Sequence, residues 1–456
     1  MSLTSILKNQ QTLFDSNKTK DVNFRISQLK ILKEILKQNE ADLYRAIYKD
    51  FGKSQFDTYL TELSQVYVEI NLYLKKVKKW NRKKRVRTNL INQPARSYII
   101  PEPLGSTLVI GAWNYPIYLS LMPVIAAIGA GNTVILKPSE ISSNVSSALV
   151  KIINENFPQD YFHVIEGGVK ETTELLKLKF DKIFFTGSTE VGKIVYQAAA
   201  KNLTPVTLEL GGKSPTFVLH DCNIAITVKR IVWSKFLNAG QTCVAPDYIL
   251  VDERIKSKFL EALKSEIKTY FPDQLVLRDN YTQIINDRHF NRLNKLIDKN
   301  RVFIGGDSDK SQRYLEPTLL QDITFDDDIM KEEIFGPILP VVSFSNLNEV
   351  IQKVKKLPKP LSCYIYSNDK KAINKVLTEL SFGSGSINDS VVQLSNSNLP
   401  FGGVGASGMG TYHGDKGFET FSHYKSILHR FTWFEPSLKY FPYTKLKSRL
   451  LDLFLR

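Results

Sequence analysis

Between residues 21 and 80 apolar side chains recur every three or four positions: Ile26, Leu29, Leu32 and Leu36, then Leu60, Leu63 and Val66. That period matches a helical turn and predicts a helical N-terminal segment. From about residue 97 the pattern changes to short, continuous apolar runs closed by glycine or proline. Ser106-Thr107-Leu108-Val109-Ile110 stops at Gly111, and Asn132-Thr133-Val134-Ile135-Leu136-Lys137 stops at Pro138. The runs 160–166 and 181–187 have the same form, and all four predict buried strands. The apolar stretch 116–129 lies between the first two and is long enough for a helix. Strands alternating with helices predict a parallel sheet covered on both faces. The alternation resumes after residue 210, with strands expected at 216–219, 248–251 and 338–344. Two α/β domains follow, joined near 209–212. The stretch 383–412 is rich in Gly, Ser and Asn and is expected to form loops and short strands.

Size agrees with more than one domain, because 456 residues exceed what one hydrophobic core organises. Hydrophobic residues make up 43% and charged residues 23%, the balance of an ordinary globular chain. The three cysteines, Cys222, Cys243 and Cys363, are widely spaced and odd in number, which argues against a disulfide framework and suits a reducing cytoplasm. The six histidines show no metal-ligand spacing, so no metal is expected. The N-terminal apolar run is too short for a signal peptide, and no stretch suits a membrane span. Net charge is +15, and part of it is the basic run 75–87. Trp80 is the only aromatic inside that run, so no stacking array for nucleic acid is present. The run reads as a solvated helix end leading into an exposed connection.

The chemistry concentrates in a few segments. Phe236-Leu237-Asn238-Ala239-Gly240-Gln241-Thr242-Cys243-Val244-Ala245 sets one cysteine after a small, polar loop and before apolar residues. A thiol so placed is exposed to a substrate yet held by packed neighbours. A lone cysteine is commonly a buried structural residue, and that reading suits Cys222 and Cys363. Leu208-Glu209-Leu210-Gly211-Gly212-Lys213-Ser214, Trp113-Asn114-Tyr115-Pro116 and Glu332-Glu333-Ile334-Phe335-Gly336-Pro337 supply carboxylates and an amide for a nucleophilic thiol. Thr186-Gly187-Ser188-Thr189-Glu190-Val191-Gly192-Lys193 follows a strand and opens a helix, an arrangement suited to a phosphate. Trp113, Tyr115, Tyr118 and Trp233 form a candidate apolar funnel beside Cys243.

These segments, with Pro400-Phe401-Gly402-Gly403-Val404-Gly405-Ala406-Ser407-Gly408-Met409-Gly410, resemble the aldehyde dehydrogenase superfamily from about residue 20 to about 430. Within it the chain is most similar to the class 3 group, which includes fatty aldehyde dehydrogenases, and to staphylococcal enzymes acting on a carotenoid-type terminal aldehyde. The resemblance implies an α/β aldehyde dehydrogenase fold with a Rossmann-like cofactor domain, an α/β catalytic domain and a β-arm for oligomerisation. The expected boundaries are 1–81 and 103–209 for NAD(P) binding and 210–389 for catalysis. The arm is expected from 82–102 and 390–415, and a C-terminal segment with an amphipathic tail from 416–456.

The resemblance also assigns roles. Cys243 is the nucleophile, Asn114 the oxyanion donor and Glu209 the general base. Glu333 contacts the nicotinamide ribose and shares the candidacy for base. Lys137, Glu140, Thr186, Gly187, Ser188, Val191, Gly211 and Phe335 contact the cofactor, NAD with NADP also admitted. Tyr115, Trp233, Asn388 and Phe401 border the substrate. The implied reaction oxidises an apolar aldehyde (long-chain, aromatic or polyene) to its carboxylic acid through a thiohemiacetal and a thioester on Cys243. Members that pass the acyl group to coenzyme A typically lack the glutamate at 209, so Glu209 opposes that alternative. The intact set Asn114, Glu209, Cys243 and Glu333 opposes a catalytically idle binding protein. A homodimer is implied. The tail, with Leu446, Leu450, Leu453 and Phe454 at helical spacing among Lys445, Lys447, Arg449 and Arg456, reads as a basic amphipathic helix. It suits either peripheral membrane contact or cover for a partner's substrate entrance. The expected location is cytoplasmic.

Overall fold

The computed structural model describes residues 2–272 and 281–455. The predicted strands assemble into two large sheets. The first has six strands in the order Gly408–Met409, Val206–Glu209, Lys182–Thr186, Ser106–Ile110, Thr133–Lys137 and Phe162–Val164. All of its pairings are parallel except that of Gly408–Met409 with Val206–Glu209. The second has seven strands in the order Val302–Ile304, Thr318–Leu320, Ile338–Phe344, Tyr248–Asp252, Pro215–Val218, Ser362–Tyr366 and Ser384–Ile387. Only Val302–Ile304 runs antiparallel there.

Helices cover both sheets, as parallel sheets require. Helix Pro116–Ala130 is buried along its whole length. It packs against the helices Val22–Gln38 and Ser64–Trp80 in the core of the first unit. Its sequence is apolar all round, which suits a helix enclosed on every side.

In the N-terminal helices Leu29, Leu32 and Leu36 are buried as their spacing predicts. Leu60 is not: it is 42% exposed. A π-helical turn at Tyr59–Leu63 inserts an extra residue into the helical count and shifts the phase. Glu62 takes the buried position instead.

A third sheet joins Lys84–Val86, Ala95–Pro103 and Ser422–Arg430. Its third strand therefore comes from 422–430 and not from 390–415. The one strand inside 390–415, Gly408–Met409, pairs with Val206–Glu209 at the edge of the six-stranded sheet. Ser422–Arg430 instead pairs along the full length of Ala95–Pro103. The glycine-rich composition of 390–415 marks irregular backbone without marking which sheet it meets. Part of the basic run is thus strand: Lys84 and Arg85 lie exposed on an edge, where charge discourages strand addition.

Candidate active site

The loop preceding Cys243 follows helix Ile224–Phe236. Asn238, Ala239 and Gly240 adopt positive φ values of 54°, 50° and 71°. Two successive non-glycine residues in this region are costly and persist only where surrounding contacts hold them. Here a polar lattice does so. Asn238 Nδ2 donates to the Asn114 carbonyl at 2.9 Å and to the Gln241 carbonyl at 3.2 Å. Gln241 Nε2 donates to the carbonyls of Asn238 and Gln283, and its oxygen accepts from the Ile285 N–H. Gly240 is required for a second reason: a Cβ there would stand 2.2 Å from the Gly336 carbonyl oxygen.

Loop and amide meet directly. Asn114 Nδ2 donates to the Gln241 carbonyl at 3.1 Å, and the Tyr115 hydroxyl lies 2.7 Å from Thr242 Oγ1. One side-chain N–H of Asn114 is therefore engaged by the loop that carries the thiol, and the second has no partner among the described residues. Cys243 is half-buried against the first core. Burial, with the Glu333 and Glu209 carboxylates beside it, pushes its thiol well above the usual range.

Glu209 ends its strand opposite Thr186, and its own carbonyl accepts from the Gly187 N–H at 3.0 Å. Its carboxyl is buried and, among the described residues, has no hydrogen-bond partner on either oxygen, and burial raises its pKa well above the carboxylate range. Glu333 is pushed up to about 8 by burial and by Asp247, against the Gly212 N–H, Lys213 and Arg292. A Cβ on Gly211 would fall 2.0 Å from Glu333 Oε2, so the glycine leaves the space this carboxylate fills. The backbone around Glu333 is tied by side chains to which the sequence patterns assign no role. Lys213 Nζ donates to Asp247 Oδ2 at 2.5 Å and to the Glu332 carbonyl at 2.8 Å. Asp247 Oδ1 accepts from the Ile334 N–H at 2.8 Å, and Arg292 donates to the Ile334 carbonyl. Phe335 packs edge-on against Trp113, with ring centroids 5.3 Å apart.

The candidate cofactor residues Lys137, Glu140, Thr186, Gly187, Ser188 and Val191 lie at or just beyond the C-terminal ends of Thr133–Lys137 and Lys182–Thr186, in the same sheet as Glu209. Lys137 Nζ is buried and pairs at 2.5 Å with Glu140, whose side chain is part-exposed. Thr186 keeps a buried hydroxyl that has no partner among the described residues. Ser188 caps helix Thr189–Ala200 by accepting from the Val191 N–H, and the Val191 side chain is exposed. A buried ammonium, an unpartnered hydroxyl, a capped helix start and an open apolar side chain fit the ribose, phosphate and base of a dinucleotide.

The four candidate substrate residues separate. Tyr115 is buried against the thiol loop. Phe401 stacks on His413, whose Nε2 is 3.0 Å from the Tyr118 hydroxyl. Burial lowers the His413 imidazole to about 3, so it is neutral at physiological pH. Trp233 is 38% exposed on the helix leading into the thiol loop. Asn388 spends its side chain on a two-way exchange with the Ser367 backbone, at 2.9 Å each way.

Comparison with known proteins identifies the family. The aldehyde dehydrogenase family model matches residues 3–427. The chain is 46% identical over 448 residues to 4,4'-diaponeurosporen-aldehyde dehydrogenase of Staphylococcus aureus, covering 98% of this chain and 97% of that one. It is likewise 46% identical to the dimeric NADP-preferring aldehyde dehydrogenase of Rattus norvegicus, covering 94% of each. A substrate-bound structure of Staphylococcus aureus AldH superposes with a TM-score of 0.98 at 45% identity, covering 100% of both chains. With sequence and tertiary structure agreeing along nearly the whole chain, this protein belongs to the aldehyde dehydrogenase family and is an NAD(P)-dependent oxidoreductase.

Proposed function

We propose that Cys243 gives up its thiol proton to solvent, that its Sγ then attacks the aldehyde carbonyl carbon, and that the resulting oxyanion is held by the second Asn114 amide N–H and the Cys243 backbone N–H. The observation that supports this is the hydrogen bond from Asn114 to the carbonyl of Gln241, two residues before the thiol. Oxyanion donors of this kind are typically worth about 10²–10³ in rate. A bound nicotinamide supplies the hydride acceptor, and loss of hydride from the thiohemiacetal carbon leaves a thioester on Cys243. Water then attacks the thioester, with Glu209 taking its proton. The carbon–sulfur bond breaks, and a free carboxylic acid and the thiol result. Lys137, Glu140, Thr186, Gly187, Ser188 and Val191 hold the adenosine and phosphate end. Gly211, Glu333 and Phe335 hold the nicotinamide end. The six-stranded unit thus carries the cofactor and the seven-stranded unit the thiol loop. Coenzyme A transfer is disfavoured because a buried carboxyl occupies position 209.

The substrate is an apolar aldehyde. Tyr118, Phe401, Tyr412 and His413 form a contiguous aromatic cluster. Burial, with Tyr118, Glu209 and Cys243 nearby, raises the Tyr412 hydroxyl well above its usual range, which supports placing the cluster near those groups. The staphylococcal relative is named for a polyene aldehyde. An aldehyde series from propanal through decanal and benzaldehyde to a long polyene aldehyde, followed by NADH and NADPH absorbance, tests the reading. We expect kcat/KM to rise by about 10-fold for every two methylenes buried, at ~0.8 kcal/mol each. Rates independent of chain length would overturn the apolar assignment, and acceleration by coenzyme A would restore acyl transfer.

We further propose a homodimer with peripheral membrane contact through helix Lys445–Leu455. Among the described residues no helix is long and apolar enough to cross a membrane. Leu446, Leu450 and Leu453 are exposed, and the preceding Trp433, Phe434, Phe441 and Tyr443 are exposed as well. The Phe454 side chain and Arg456 lie outside the described residues. Deleting 440–456 is expected to abolish binding to anionic vesicles and to raise KM for long-chain aldehydes with propanal kinetics unchanged. Unchanged vesicle binding and unchanged long-chain kinetics would remove the proposal.

A further inference from the structure

Helix Pro116–Ala130 begins two residues after Asn114. The first N–H groups of a helix lack intrahelical acceptors, and a buried start must find them elsewhere. No side chain of the preceding Tyr115 caps this one, and Pro116 has no N–H to offer. The acceptor comes from a distant helix. Glu62 Oε2 accepts from the Ile117 N–H at 2.8 Å and the Tyr118 N–H at 3.2 Å.

Glu62 is 0% exposed, and a buried carboxylate needs a counter-charge. Lys53, 2% exposed, places its Nζ 3.3 Å from Glu62 Oε1. The same Nζ stands 4.5 Å from the centroid of the Tyr115 ring. Tyr115 in turn bonds Thr242, the residue before the thiol. One pair of side chains therefore holds the segment that follows Asn114: the helix start through Glu62, and the adjoining tyrosine through Lys53.

The charges suit this place. A carboxylate on a helix N-terminus is favourable in itself. Alone beside a forming oxyanion it would oppose the negative charge. Paired with Lys53 it satisfies the two amides and adds little net field. Glu62 lies in the π-helical turn Tyr59–Leu63 and is fully buried.

We infer that Lys53 and Glu62 are positioning residues that hold the Asn114 amide in register with Cys243. The inference rests on the oxyanion assignment above. If Glu62 acts through Asn114, its effect depends on Asn114 being present, and coupled residues of this kind are strongly non-additive.

The experiment measures the single-turnover rate of hydride transfer, aldehyde KM, cofactor affinity and Tm. The variants are Glu62→Gln and Lys53→Met, each in the natural and the Asn114→Ala background. Each change is expected to slow hydride transfer at least about 10-fold in the natural background and less than about 2-fold when Asn114 is already alanine. Cofactor affinity is expected to stay the same. The double variant Lys53→Met/Glu62→Gln removes both buried charges while keeping an acceptor for the amides, and it serves where a single change fails to fold. It is expected to show the same background dependence.

Equal losses in both backgrounds, with Tm and cofactor affinity falling together, mean that the pair only supports the fold, and the inference is lost. No loss in the natural background, while Asn114→Ala itself slows the reaction, removes the inference alone. A silent Asn114→Ala removes the oxyanion assignment, and this inference with it.

Discussion

Replacing Cys243 by alanine is expected to lower aldehyde oxidation by about 10⁴-fold or more, with cofactor affinity unchanged, because removal of a covalent nucleophile leaves only binding and orientation. No other thiol can substitute. Cys363 is buried in the core of the seven-stranded unit, and Cys222 packs against that same core. The mechanism also predicts how the thiol behaves at rest. Burial and the two carboxylates hold it well above the ordinary range. A thiol raised in this way is protonated at neutral pH, and its ionised fraction grows as pH rises. Alkylation of the free enzyme by iodoacetamide should therefore be slow at pH 7 and accelerate continuously to pH 9, and Cys243→Ala should remove the labelled site. Rapid labelling at pH 7 that is indifferent to pH would contradict the arrangement of the carboxylates. Residual aldehyde oxidation within 10-fold of the natural enzyme would contradict the nucleophile assignment.

Glu209→Gln is expected to separate the two halves of the reaction. Hydride transfer should persist while thioester hydrolysis slows by about 10²–10⁴-fold, the range typical of a lost general base. The visible result is a burst of NADH close to one equivalent per site, followed by a slow steady rate. The pH dependence has a definite sign. A carboxyl raised well above its ordinary range takes up a water proton only after losing its own. Hydrolysis should therefore climb with pH in the natural enzyme and lose that climb in Glu209→Gln. Glu333, pushed up to about 8, is the other carboxyl able to produce such a climb. A climb that survives in Glu209→Gln and vanishes in Glu333→Gln would move the base role to Glu333. Loss of the burst together with turnover would place Glu209 in the first half of the reaction.

Much of this arrangement is legible in the amino-acid order alone. The short apolar runs at 106–110, 133–137, 182–186 and 248–252 are strands because β-branched residues bounded by glycine and proline suit a sheet buried on both faces. The Cys243 loop is legible because small and polar residues interrupt otherwise apolar sequence. Glu62 is obscured by a misleading period. Leu60, Leu63 and Val66 suggest one continuous face, and the π-turn at Tyr59–Leu63 breaks it. A local signal does exist: Glu62, Val66, Glu69 and Tyr73 fall on one helical face and all four are buried, so acids recur there among core residues. Asp247 and Lys213 carry no comparable signal. A charged residue at the start of an apolar strand resembles an ordinary solvated strand end, and only the packed Glu333 loop gives the pair a purpose.

Element types, the two-unit α/β organisation and the segments that carry thiol, amide and carboxylates are local properties of the chain. Side-chain period, backbone freedom and chemical type over a few residues are enough to set them. Which distant side chains complete the site is settled only by packing. Packing gives the third strand of the small sheet to 422–430, because its backbone groups meet those of Ala95–Pro103 along their whole length. It closes the Lys53–Glu62 pair onto the start of helix Pro116–Ala130. It brings the Gly336 carbonyl to Gly240, and the Glu209 and Glu333 carboxylates to Cys243. Most of those contacts join residues far apart in the chain. Their energies depend on burial and on partners that no short stretch of sequence contains.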